Sequence, residues 1–122
     1  MIAGTVSHDL VATVHLNVSG PAGKQAVEAR IDTGFNGFLS LPMSVLLALG
    51  LTSTRSQWIR LADGSLVECL LFLATVDWDG QQRTVETDAA TDLCLVGMSL
   101  MEGHDLSIRI RPGGALTIQA IP

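Results

Sequence analysis

The sequence predicts a mostly β domain, closed as a small barrel or folded as a sandwich, with one or two short helices. Three observations carry this. Apolar residues recur at every second position or in short unbroken runs, the patterns of half-buried and fully buried strands. Gly-containing turns separate those segments, and only two brief stretches suit a helix. The chain has 122 residues, 48% hydrophobic and 16% charged. That balance excludes a disordered chain, and the length suits one domain over residues 1–122 with no linker.

From Leu10 to Val18 the residues Leu10, Ala12, Val14, Leu16 and Val18 alternate with Thr13, His15 and Asn17, a strand with one buried face. Ser19-Gly20-Pro21-Ala22-Gly23 is a turn, and Ala26 to Ile31 returns as a second strand before Asp32-Thr33-Gly34 interrupts it. Phe38 to Leu41 is short and apolar. Pro42 suits the first turn of a helix reaching Leu49, and Gly50 suits the left-handed position that ends it. Gln57 to Leu61 and Leu66 to Val76 flank the turn Ala62-Asp63-Gly64-Ser65, and Asp79-Gly80 leads into Arg83 to Thr87. Leu93 to Val96 reads as a central strand buried on both faces. Met98 to Glu102 suits one or two helical turns closed by Gly103, and Leu106 to Ile110 and Leu116 to Ile121 form a last hairpin around Pro112-Gly113-Gly114.

Seven basic residues against twelve acidic give a formal charge of −5. With no Lys/Arg cluster to neutralise phosphates, nucleic acid is excluded as a partner. No span reaches the ~18 apolar residues of a membrane helix, so no membrane is expected either. The first residues lack both the basic start and the apolar core of a signal peptide, which points to the cytoplasm. Cys69 and Cys94 sit among apolar neighbours and read as free buried thiols. An apolar share of 48% is more than one core of this size easily hides, and a subunit interface would absorb the surplus.

Most catalytic signatures are missing. Lys24 is the only lysine, and no phosphate-binding Gly-rich loop precedes it. His8, His15 and His104 lack metal-ligand spacing to each other or to the cysteines, so neither metal nor cofactor is expected. No Gly-x-Ser-x-Gly elbow supports a serine nucleophile. One segment stands apart, Ala29-Arg30-Ile31-Asp32-Thr33-Gly34-Phe35-Asn36-Gly37-Phe38-Leu39-Ser40-Leu41-Pro42. An acid at the end of an apolar strand, followed by Thr and Gly, sets a carboxylate on a tight loop held by the sheet.

Asp32-Thr33-Gly34 resembles the active-site triplet of the retropepsin-like aspartic proteases. Leu95-Val96-Gly97, about sixty residues on, resembles the family's second mark, two apolar residues and a Gly before a short helix. Leu61-Ala62-Asp63-Gly64-Ser65 lies between them, where the family has the tip of a hairpin flap. The Pro-led helix and the closing hairpin are similar to the small bacterial and cellular branch. Phe35 and Met98 depart from the retroviral pattern, which has Ala or Ser and Arg there, so that branch's ion pair is missing. The chain has no Tyr, and its flap has a single Gly.

The resemblance implies a closed acid-protease barrel and an endopeptidase in which two carboxylates share a proton around a water. One triplet per chain then implies a homodimer with Asp32 of each copy at a two-fold axis; Asp63, Asp88, Asp92 and Asp105 lack the triplet. It further implies that Thr33 locks the two loops together and Gly34 lines the site. Leu61, Ala62, Asp63 and Gly64 would close over an extended peptide or protein substrate, and Gly97 would let its strand pass behind the loop. The proton sharing implies activity below neutral pH. The competing expectation is a dimerisation or peptide-binding module that keeps the fold and cleaves nothing; a β-barrel of purely structural use is the third.

Overall fold

A computed structural model describes residues 1–122. Its strands are β1 (Ile2–Val6), β2 (Ala12–Gly20), β3 (Gly23–Ile31), β4 (Leu39–Ser40), β5 (Ser53–Arg60), β6 (Leu66–Trp78), β7 (Gln81–Asp88), β8 (Leu95–Val96), β9 (His104–Ile108) and β10 (Ala115–Ala120). Helix α1 is Met43–Ala48 and α2 is Met98–Met101. The strand order is β5-β6-β7-β4-β8-β3-β2-β1-β10-β9. A further pairing of Val18 and Ser19 with Val76 and Thr75 joins β2 to β6. That pairing closes β2, β3, β8, β4, β7 and β6 into the expected barrel. β1, β10 and β9 extend from one side of it, and β5 hangs from the other through β6 alone.

Alternation builds the interior. Val14, Leu16 and Val18 of β2 face inward with Val27 and Ala29 of β3, Phe72 and Val76 of β6, and Val96 of β8. Leu46 of α1, Leu49 just after it, and Leu100 and Met101 of α2 pack into the same core. Leu46 is wholly buried, so shortening it to Ala costs about 2–5 kcal/mol. Asp79 and Gly80 both take positive φ, 50° and 82°, the pair a two-residue hairpin turn requires. Gly50 at φ 75° ends α1 as expected.

Several boundaries differ from the sequence reading. Leu10 does not begin a strand: it sits at φ 65° in a turn closed by Ser7 and Val11, and its side chain is exposed. β8 is only Leu95–Val96: the Cys94 carbonyl still accepts the Arg30 amide at 2.8 Å, but Leu93 lies in a bend; Leu93 is exposed and Cys94 half-buried. Pro42 precedes α1 in extended conformation instead of joining its first turn. Ile110 and Ile121 lie beyond their strands and face outward. β1 gives no clear signal in sequence, since Ala3, Gly4 and Thr5 break any alternation. Gly4 is needed there: a Cβ would stand 2.2 Å from the Thr13 carbonyl oxygen. No helix is long and apolar enough to cross a membrane. Both cysteines are free, Cys69 buried.

Candidate active site

The loop from Asp32 to Phe38 leaves β3 and enters β4, although β8 lies between those two strands. The chain must therefore cross the end of β8, and backbone hydrogen bonds lace it down. The Asp32 amide donates to the Val96 carbonyl at 3.0 Å and the Gly97 amide to the Phe38 carbonyl at 3.0 Å. Met98 donates to the Phe35 carbonyl at 2.8 Å and Ser99 to that of Gly37 at 3.1 Å. The Ser99 hydroxyl also donates to the Asn36 carbonyl. Asp32 is thus fixed by backbone on both sides.

The crossing is too tight for side chains. A Cβ at Gly97 would stand 2.1 Å from the Gly37 carbonyl oxygen and 2.6 Å from the Phe35 ring. A Cβ at Gly37 would also meet that ring at 2.6 Å. The bulky residue after the triplet is therefore accommodated by two glycines, one from each arm of the crossing.

Asp32 is half-buried as a residue, and its Oδ1 accepts the Gly34 amide at 3.0 Å. Thr33 and Gly34 are exposed, and the Thr33 hydroxyl makes no hydrogen bond within the chain. Asp32 opens onto a groove of about 380 Å³ shared with Leu10, Val11, Ala12, Arg30, Leu93 and Leu95, and no second carboxylate lines it.

The hairpin of β5 and β6 stands on the other side of the loop. Its turn is closed by Leu61 N–H to the Ser65 carbonyl, 2.8 Å, and Gly64 N–H to the Leu61 carbonyl, 2.9 Å, with Gly64 at φ 88°. The Ser65 hydroxyl and amide both donate to Asp63 and hold its carboxyl below the usual range. Residues 61–65 are exposed throughout. Leu61 lines an apolar recess of about 410 Å³ with Ile59, Val67, Cys69 and Leu70. Burial pushes the Cys69 thiol up there, and it does the same at Cys94.

Between loop and hairpin runs a cleft of about 500 Å³. Phe35, Asn36, Gly37, Phe38 and Leu39 form one wall, and Arg55, Gln57 and Ile59 of β5 face them, with Leu71, Glu86 and Asp88 completing the lining. Within one chain Asp32, Thr33, Gly34 and Gly97 therefore meet at the crossing, whereas Ala62, Asp63 and Gly64 lie at the hairpin tip and share no cavity with Asp32. The cleft walls on β5 and β7 were missed in sequence. The spacing of Arg55, Gln57 and Ile59 at every second residue was the available signal for one face of a strand. No group of three or more His, Cys, Asp or Glu side chains is placed to hold a metal ion.

This architecture has a counterpart among solved structures. A retropepsin-like aspartic protease from Rickettsia conorii superposes with a TM-score of 0.59, covering 99% of this chain and 91% of that one. The fold is retropepsin-like. At 19% identity the likeness is one of fold. No protein-family model matches the sequence, and no curated protein matches it.

Proposed function

We propose that this chain is a retropepsin-like domain acting as an aspartic endopeptidase, a homodimer in which each copy supplies one Asp32. The observation that carries the reading is the placement of Asp-Thr-Gly on the laced crossing of a retropepsin-like barrel. One carboxylate takes a proton from the attacking water while its protonated partner donates to the scissile carbonyl. Two carboxylates ~3 Å apart cannot both ionise, so they titrate as a pair. A single Asp32, alone in its groove, cannot divide those tasks; a second copy can.

The surface around the loop supports a partner. Leu10, Leu93 and Met98 are all exposed beside it, the first two in the Asp32 groove itself. In the dimer the exposed Thr33 hydroxyls would cross-link the two loops, and Gly34 would lie beside the substrate. The hairpin tip, Leu61 to Gly64, would close over an extended peptide and exclude water. Gly97 keeps the crossing tight.

The test is digestion of a peptide pool from pH 3 to 7. Wild type cleaves in the acid half, and Asp32→Asn lowers the rate by about 10²–10⁴-fold. Equal cleavage by the variant removes Asp32 from the mechanism. A folded dimer that binds peptides and cleaves none supports the second reading, a peptide-binding module, which the missing retroviral-type ion pair at Met98 leaves open.

A further inference from the structure

Asp88, at the end of β7, is 93% buried, with 7% of its surface exposed, yet it lines the cleft between loop and hairpin. Its Oδ1 is fully used. It accepts the Ser40 hydroxyl at 2.6 Å and the Ala90 amide at 3.2 Å. Its Oδ2 has no partner within the chain. The one side-chain polar atom that is both sealed from solvent and unpartnered is Trp78 Nε1. Asp88 Oδ2 is therefore not sealed from solvent, and Asp88 is part of the cleft lining.

The neighbouring charges leave that oxygen free to act. Arg55 is engaged by Glu86 through two bonds, 2.7 and 2.8 Å. Two carboxylates, Asp88 and Glu86, against one guanidinium leave the cleft one charge negative. Along the same walls Phe35, Ile59 and Leu71 offer apolar surface. An occupant with an apolar stem and a cationic end matches both features.

We infer that Asp88 makes this cleft selective for a lysine or arginine side chain of the bound peptide. The stem would lie on Phe35, Ile59 and Leu71, and the ammonium or guanidinium would donate to Asp88 Oδ2. A buried carboxylate with one unmet oxygen gains most from a charged donor. The inference rests on the reading that an extended peptide occupies the cleft.

The experiment compares matched peptides. The pool is screened for residue preference at every position, and the preferred peptide is remade with norleucine in place of lysine, which keeps the stem and removes the charge. Wild type is expected to favour lysine by about ten- to a hundredfold in kcat/KM. Asp88→Asn keeps an oxygen for Ser40 and Ala90 but presents an amide to the cleft, so the ratio should fall to near one. A wild-type ratio near one, or a ratio that survives in Asp88→Asn, overturns the inference; the wild-type ratio decides even where the variant does not fold. If no peptide is cleaved, proteolysis is refuted separately. The same ratio is then read from binding of the pool to the intact chain, where lysine preference sustains the inference, and no preference or no binding overturns it.

Discussion

Gly97 is where sequence, packing and site meet most closely. Its missing side chain lets the Gly37 carbonyl and the Phe35 ring pass at distances no Cβ allows. Backbone sits on one side and a ring held at the crossing on the other, so neither yields cheaply. Gly97→Ala should lower stability to urea by at least about 1–3 kcal/mol, the range for overpacking, whereas Gly64→Ala at the open hairpin tip suffers only its positive φ. The second residue-scale prediction concerns Arg55 and Glu86. The Arg55 guanidinium holds the Glu86 carboxyl below its ordinary 4.5. A depressed carboxylate contributes stability above its unfolded value and loses it as pH falls through the folded one. The stability gap between wild type and Glu86→Gln should therefore be constant from pH 7 to 5 and shrink below 4.5. Because both partners are exposed, the gap is small. A gap that widens in acid contradicts this pairing.

Among the elements, the β5–β6 hairpin is the least supported. β5 pairs with β6 alone, and all its residues but Ile59 are exposed. A two-stranded ribbon with little packing opens easily. Amides of Ser53–Arg60 should exchange with deuterium well before those of β2 and β3, and binding of a peptide in the cleft should slow them. Uniform protection across the chain counts against a movable flap. The same element shows the reach of the sequence. The alternation of β2, the turn at Asp79-Gly80 and the triplet loop were legible because each is a local signal. The run from Leu66 to Leu73 was legible as strand but not as partly exposed: Leu66, Val67, Leu70 and Leu73 face outward. Apolarity marks a segment as strand, but which of its faces is covered depends on contacts distant in sequence. β1 escaped notice because its pairing with β2 and β10 comes from distant partners and a glycine contact, not from its own pattern. Asp88 stood out only as an acid without a triplet; its burial beside Ser40 is a long-range fact.

For the whole molecule, most of the exposed apolar surface falls in two places. Of the fourteen exposed large hydrophobic residues, six lie on the hairpin, Trp58, Leu61, Leu66, Val67, Leu70 and Leu73, and three surround the Asp32 loop, Leu10, Leu93 and Met98. Both places are those a second copy and a peptide would cover in the proposed dimer. The central claim is that one active site needs an Asp32 from each of two chains. Mixing decides it most directly: a fixed amount of wild type is equilibrated with a tenfold excess of Asp32→Asn, and peptide cleavage is measured. If the site is shared, wild-type pairs become rare and activity falls roughly tenfold. Activity that stays proportional to the wild-type chain, whatever the excess of Asp32→Asn, contradicts the account.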